Sequence, residues 1–287
     1  MHIYLLANIG DNFSFRFGNS VASDTVENTF DGEGLTDWVV QEAYLNYKID
    51  TSTFLVAGET YGVLGIYDPY AVVKGLKNSY VNSITTRLDL GKVFENGLTA
   101  DIGVYNGGDS DQYPYARFSY ASDIKGVKTK LDVSYVNNMM QYNGTSWGAD
   151  GVTNIDTNVA GYEIDFSLDM GRHTVDAFYL ATDGIAISGS TSNEAKPEVM
   201  VLGVTSKLAN NTQVRVAYER ALHDNALSND NYDADQIPGY HVNLALNYVK
   251  TKDVNYFVQY DYFAKNNNSP TIIHDQNILT AGAIFSF

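Results

Sequence analysis

Residues 240–261 read YHVNLALNYVKTKDVNYFVQYD, and this stretch contains the pattern that decides the fold. Apolar and aromatic side chains alternate with polar ones up to Tyr248, and the alternation returns after the polar tetrapeptide at residues 250–253. Successive residues of a strand point to opposite faces, so each half predicts a β-strand with one apolar and one polar face. The short polar connection predicts that the two strands form a hairpin.

The same alternation recurs from one end of the chain to the other, for example in residues 98–104, 127–135 and 160–166. Each segment has roughly the ten residues that a tilted strand needs to cross a bilayer. A soluble β-sandwich also alternates and is the competing interpretation. Two features favour a transmembrane β-barrel: charged residues lie on the polar face in mid-strand, and tyrosines such as Tyr240 and Tyr248 lie at the ends of the apolar face.

Short turns and long polar loops alternate along the chain, which is the layout of an outer-membrane barrel. The pattern predicts an all-β fold of about fifteen antiparallel strands in a single domain covering residues 1–287. Bacterial single-chain barrels have an even number of strands. We therefore expect about 16 strands in the complete barrel, with one further strand and a signal peptide upstream of Met1.

Composition restricts the function. The net charge is −16, with 34 acidic and 18 basic residues, which argues against a nucleic-acid partner. Cysteine is absent, so disulfides and thiolate metal sites are excluded. The five histidines show no metal-binding spacing and no link to a nucleophile motif, so the sequence predicts neither an enzyme nor a cofactor.

The C-terminal strand carries a family resemblance. One apolar face is formed by Leu279, Ala281, Ala283, Phe285 and the terminal Phe287. This arrangement resembles the closing strand of bacterial outer-membrane proteins, whose terminal aromatic residue is recognised by the barrel-assembly machinery. The pattern of the whole chain resembles the general porins, which are sixteen-stranded. The phrases IGDNFSFRF (residues 9–17) and EAYLNYK (residues 42–48) are similar to porins that an S-layer-homology domain tethers to the cell wall.

The resemblance implies a bacterial outer-membrane location, contact with outer-membrane lipid and lipopolysaccharide, a homotrimer, and passive diffusion of ions and small hydrophilic solutes. In the sixteen-stranded porins the third extracellular loop folds into the barrel and narrows the pore. With one strand and one loop upstream, that loop corresponds to Tyr61–Asn78, which is rich in apolar residues. The alternative is that this loop packs at a subunit interface.

Candidate pore-lining residues share a place on the polar face of a strand or, for one of them, in the inward loop. The bases are Arg16, Arg87, Arg117, Lys128, Lys130 and Arg215, and the acids are Asp68, Asp89, Asp101, Asp132, Glu163 and Asp165. For each residue alone, a solvated lumen charge or one half of a salt bridge in the wall is at least as good an interpretation as a role in selecting solutes. Acidic loops near the mouth, together with a nearly balanced constriction, predict mild cation preference at low salt.

Two other classes of function stay open. A barrel enzyme of the lipase or protease type needs His and Ser or an acid to converge at one rim, and a plugged structural or adhesion barrel needs a blocked lumen. The segment NDNYDAD (residues 229–235) offers oxygen ligands that suit Ca²⁺, but it lacks the glycine and the final glutamate of an EF-hand loop. A solvated loop is the simpler interpretation of that segment.

Overall fold

The fold was analysed in a computed structural model of the chain. The structure describes residues 2–23, 36–61, 64, 84–107, 111–139, 160–183, 185–186, 194–195, 198–209, 211–222, 239–251, 254–264 and 275–285.

Strands account for nearly all of the regular structure in these ranges. Their bounds are β1 His2–Ile9, β2 Phe13–Ser23, β3 Thr36–Lys48, β4 Thr53–Tyr61, β5 Ile84–Val93, β6 Leu98–Asn106, β7 Gln112–Ile124, β8 Val127–Val136, β9 Gly161–Asp169, β10 His173–Thr182, β11 Ile185–Ala186, β12 Glu194–Ala195, β13 Glu198–Ala209, β14 Thr212–Ala221, β15 Tyr240–Thr251, β16 Val254–Ala264 and β17 Gln276–Phe285. Within the described residues, no helix combines the length and the apolar character needed to cross a membrane.

Fifteen of these strands form one continuous sheet, in which every strand pairs with its neighbours in the chain order β1 to β10 and then β13 to β17. All the pairings are antiparallel. Strands β11 and β12 form a separate two-stranded hairpin in the connection between β10 and β13. The predicted all-β fold of about fifteen antiparallel strands is confirmed. In the pairings that the structure describes, β1 and β17 are the two edges of the sheet.

Connections alternate between short turns and longer loops, as the sequence predicts. A two-residue turn, Lys125 and Gly126, joins β7 and β8, and its φ angles are 56° and 82°. A two-residue turn with positive φ at both positions matches the right-handed twist of the flanking strands. The backbone N–H of Gly126 donates to Asp123 Oδ1 at 2.9 Å, which stabilises the turn.

The two faces of the sheet differ, and their burial is the reverse of that expected in a soluble protein: large apolar side chains are exposed on one face, while the other face buries charged and polar side chains alongside apolar ones such as Leu180, Val199 and Val201. Large apolar side chains of one face are exposed, for example Leu244 at 48% and Ile102 at 54%. Charged and polar side chains of the other face are buried, and Glu219, His241 and Asp261 are 0% exposed. We call these the apolar face and the polar face. A sheet with this distribution is suited to apolar surroundings on one side only.

Aromatic pairs flank the apolar face at both ends. Near the short turns, the rings of Phe13 and Tyr47 lie 4.5 Å apart, and those of Tyr248 and Tyr256 lie 6.5 Å apart. Near the long loops the ring pairs are Tyr135–Tyr162 at 5.5 Å, Tyr218–Tyr240 at 5.9 Å and Tyr240–Tyr262 at 5.8 Å. Tyr240 and Tyr248 lie on one strand, and at about 3.3 Å per residue they are roughly 26 Å apart along it.

Candidate functional site on the polar face

Six of the predicted pore-lining residues lie together on β5, β6, β7 and β8. We call them the β5–β8 charge cluster: Arg87, Asp89, Asp101, Arg117, Lys130 and Asp132. The antiparallel register brings them together, because Asp101 is the direct cross-strand partner of Arg117. All six side chains lie on the polar face.

Asp132 is the most heavily bonded acid of this cluster. Arg117 Nη2 donates to Asp132 Oδ1 at 2.7 Å, and Lys130 Nζ lies 2.8 Å from Asp132 Oδ2. The Ser119 hydroxyl also donates to Asp132 Oδ1. The carboxylate therefore faces two cations and a hydroxyl, while its own side chain is buried. Charge-assisted hydrogen bonds of this kind are the strong ones, and they fix the orientation of both basic side chains.

Asp89 forms the second centre of the cluster. Arg87 Nε lies 3.0 Å from Asp89 Oδ2, and the Tyr115 hydroxyl donates to Asp89 Oδ1. Gly103, which lies between Asp89 and Tyr115 in the cross-strand row, makes this contact possible. A Cβ atom at Gly103 would lie closest to the backbone oxygen of Leu88, and 2.9 Å from Tyr115 Oη and 3.0 Å from Asp89 Oδ1, so a side chain there would displace the backbone as well as these side chains.

The cluster contains three bases and three acids and is balanced in charge. Strand β9 adds Asp165 directly opposite Asp132 and Glu163 directly opposite Ser134. Both added acids are buried. The polar face therefore carries charged side chains on every strand from β5 to β9, and the excess of acidic residues lies on β9. The bases and acids of the cluster are interleaved in ion pairs on neighbouring strands.

The remaining predicted residues lie apart from this cluster. Arg16 Nε pairs with Glu42 Oε2 at 2.7 Å, between β2 and β3. Arg215 Nε donates to Thr205 Oγ1 at 3.1 Å, between β14 and β13. Lys128 is exposed near the turn at the start of β8.

The predicted inward loop Tyr61–Asn78 falls mostly outside the described residues, and so does Asp68. Leu64 is described, and it is buried, with 3% of its surface exposed. The acidic segment at residues 229–235 and the terminal Phe287 also lie outside the described residues.

Sequence analysis missed a second polar cluster, which we call the His241 cluster: Glu219, His241, Asn243, Gln259 and Asp261. His241 Nε2 lies 2.9 Å from Asp261 Oδ1, and His241 Nδ1 lies 3.6 Å from Glu219 Oε2. All five residues are 0% exposed. Their places on the polar face could be read from the alternation, but their contacts depend on the register of three strands.

Two amides complete the His241 cluster. Asn243 Nδ2 donates to Asp261 Oδ1 at 2.7 Å, and Gln259 Nε2 donates to Asp261 Oδ2 at 2.9 Å. The imidazole ring of His241 stacks on Phe263, with 4.2 Å between ring centroids and 5° between planes. Donors therefore surround Asp261, and the ring of His241 is held in one orientation. Among the described residues, His, Cys, Asp and Glu form no group of three that could hold a metal ion.

No protein-family model and no curated protein sequence matches this chain. Solved structures do match. The outer membrane channel DcaP of Acinetobacter baumannii has a TM-score of 0.68 at 12% identity, over 100% of this chain and 84% of that one. OmpF of Salmonella typhi, in a complex with daunomycin, has a TM-score of 0.66 at 14% identity, over 99% and 88%. OprB of Pseudomonas putida has a TM-score of 0.62 at 9% identity, over 96% and 82%.

These similarities show that the fold is that of the outer-membrane porins, in agreement with the resemblance drawn from the sequence. In such a barrel the polar face of the sheet lines the interior. Both polar clusters lie on the face that corresponds to the interior of those barrels.

Proposed function

We propose that the protein is a diffusion channel of a bacterial outer membrane, through which ions and small hydrophilic solutes pass. The observation that carries the proposal is the reversed burial of the sheet. Leucine and isoleucine side chains on the apolar face are about half exposed, while Asp132, Glu163 and Asp165 on the polar face are buried. Apolar side chains in contact with lipid and charged side chains around a lumen explain this distribution.

The β5–β8 charge cluster supports ion passage. Rings of charged side chains set ion preference in a pore, and interleaved bases and acids give a polar surface along which a hydrated solute can move. Because the cluster is balanced, the excess acids at β9 and in the loops favour mild cation preference. A lumen narrowed by the inward-folded loop Tyr61–Asn78 is part of this proposal.

The assembly and surroundings of the channel belong to the same proposal. The aromatic pairs at the two ends of the apolar face match the two membrane interfaces, where Tyr and Trp are enriched. Outer-membrane lipid and lipopolysaccharide would contact the apolar face between them. A homotrimer, and recognition of the terminal Phe287 by the barrel-assembly machinery, are further parts of this proposal, and the porin-type fold and the apolar residues at the end of the sequence support them.

Purified protein in a planar lipid bilayer tests the channel. We expect stepwise conductance increments, and we expect liposomes that contain the protein to swell in isotonic solutions of small sugars. Heat-unfolded protein added in the same detergent is the matched control. No conductance and no swelling from folded protein would contradict the proposal. If folded protein shows neither conductance nor swelling but hydrolyses a lipid or peptide substrate, the barrel enzyme is favoured instead.

A further inference from the structure

We propose that a cavity at the short-turn end of the polar face binds small zwitterionic solutes, which carry an ammonium and a carboxylate group on one molecule. This inference rests on the proposed function, because the solutes concerned are those that enter or leave the channel at this end. We call the site the short-turn cavity: its wall is formed by Asn46, Lys48, Asp50, Phe54 and Val93, together with residues 11–12 and 51–53 of the adjoining turns.

The size and the position of the short-turn cavity suit a solute site. Its volume is about 530 Å³, within the range of roughly 300–1,000 Å³ that is usual for small-molecule sites. Lys48 is the direct cross-strand partner of Phe54, and Phe54 is that of Gly91. A Cβ atom at Gly91 would collide with the Phe54 ring and with Asp101 Oδ1. The Phe54 ring therefore lies beside the β5–β8 charge cluster, and the cavity faces the same side of the sheet as that cluster.

Asp50 supplies a carboxylate that is held in one orientation. Its Oδ1 accepts from the backbone N–H groups of Ser52 and Thr53, at 2.7 and 2.8 Å, and from the Ser52 hydroxyl at 2.9 Å. These hydrogen bonds lower the pKa of Asp50 to about 2, so the carboxylate is ionised at neutral pH. A carboxylate can accept about four hydrogen bonds, and Asp50 therefore retains the capacity to accept from the ammonium group of a ligand.

Lys48, at the end of β3, supplies the opposite charge. Its backbone N–H donates to the carbonyl oxygen of Asn12 at 2.8 Å, which fixes the start of the side chain between the two turns. Its side chain is exposed, and within the part of the chain that the structure describes it has no ion pair and no hydrogen bond. A lysine ammonium is a compact charge on a flexible stem with three donors. It can therefore bind the carboxylate group of a ligand in the cavity.

The combination of side chains determines the class of ligand. Lys48 and Asp50 place one positive and one negative charge on the wall of the same cavity, and Phe54 and Val93 add apolar surface. A ligand with a single charge would pair with only one of the two charged side chains. A small amino acid with an apolar side chain pairs with both and covers the apolar surface as well, because it carries an ammonium and a carboxylate group on one carbon atom.

Ligand-observed NMR titrations of folded protein in detergent micelles test the site without relying on conductance. The probes are L-leucine, isocaproate, which lacks the ammonium group, and isoamylamine, which lacks the carboxylate. We expect L-leucine to bind about fivefold more tightly than either of the other two, because it alone pairs with both charges.

Two variants identify the protein charges that bind the probes. Lys48→Gln should weaken the binding of L-leucine and isocaproate by about fivefold without weakening isoamylamine. Asp50→Asn, whose amide oxygen can still accept the hydrogen bonds of the turn, should weaken L-leucine and isoamylamine without weakening isocaproate. The matched controls are Lys92→Gln, on the opposite face near the same end of β5, and Asp169→Asn, whose Oδ1 accepts from the Gly171 N–H at 2.7 Å in another short turn. Both controls should bind all three probes as the wild type does.

Two outcomes would overturn the inference. A conducting channel that binds L-leucine no more tightly than the other two probes overturns it and leaves the proposed function intact. Equal losses of binding in each variant and its matched control also overturn it, since a charge anywhere near the short turns would then be sufficient. Folded protein that binds the probes in the expected order but conducts no ions in a planar bilayer would instead overturn the proposed function.

Discussion

Arg117 on β7 donates to Asp132 on β8 at 2.7 Å along a diagonal of the strand pair, since the direct partner of Arg117 is Ser134 and that of Asp132 is Ser119. Diagonal neighbours in an antiparallel pair are within reach of long side chains. The diagonal leaves Asp132 free to accept from Lys130 and Ser119 as well. One carboxylate therefore compensates two basic side chains on the polar face.

Removing this carboxylate should change ion preference. Asp132→Asn leaves Arg117 and Lys130 without their shared counter-charge, so we expect the cation-to-anion permeability ratio to fall by about twofold or more at low salt. Reversal potentials in a salt gradient measure the change. Asp11→Asn, in the exposed turn between β1 and β2, removes the same charge away from the cluster and is the control. Equal shifts in the two variants would show that Asp132 acts only through the net charge.

A charged residue in the middle of the apolar face should destabilise the barrel according to its depth. Leu244 lies midway between Tyr240 and Tyr248, and Leu244→Arg should cost about 2–4 kcal/mol. Leu208 is also exposed but lies next to the turn after β13, and Leu208→Arg should cost about 0–1 kcal/mol. Urea unfolding in lipid vesicles measures both values. Equal costs would mean that Leu244 does not face the membrane core.

Filling the space at Gly103 should disturb the wall between Asp89 and Tyr115. Gly103→Leu introduces a side chain where a Cβ atom alone already meets both partners, and we expect a loss of about 1–3 kcal/mol together with reduced single-channel conductance. Ala100→Leu, on the apolar face of the same strand, is the control and should leave conductance unchanged. Unchanged stability and conductance in Gly103→Leu would contradict the close packing described for Asp89 and Tyr115.

The turn at Asp50 should depend on pH only under strongly acidic conditions. Hydrogen bonds from the backbone N–H and the hydroxyl of Ser52, at 2.7 and 2.9 Å, and from Thr53 lower the pKa of Asp50 from 3.8 to about 2. A lowered pKa means that ionised Asp50 stabilises the folded turn above pH 3.8 and that this contribution is lost as the pH falls towards 2.

Asp50→Ala should therefore be less resistant to urea than the wild type at pH 5, and the difference should shrink between pH 4 and pH 2. The unfolding midpoint of the two proteins across this pH range is the measurement. A difference that stays constant with pH would show that the carboxylate charge does not stabilise the turn. Asp11→Ala, in the neighbouring turn, controls for the loss of a surface acid.

The alternation of residues was enough to predict the strands, their two faces and the order of short and long connections. Tyr240 to Tyr248 shows why: in a sheet with one apolar side, each side chain must match the face to which strand geometry assigns it. The same reasoning placed Arg117, Asp132 and Glu163 on the polar face before any coordinates. It also predicted the exposed apolar face of β17, where Leu279, Ala281 and Ala283 are exposed.

The partnerships between these residues could not be predicted in this way. Glu219 and Asp261 are 42 positions apart in the chain, and only the pairing of β14, β15 and β16 brings both to His241. The alternation fixes the face of a residue but not its height against the next strand, because a shift of two residues keeps every side chain on its face and changes every partner. The sequence alone thus determined an antiparallel sheet of the porin type with one apolar face and one charged, polar face. The tertiary structure decided which charges neutralise one another, since ion pairs depend on the register between strands.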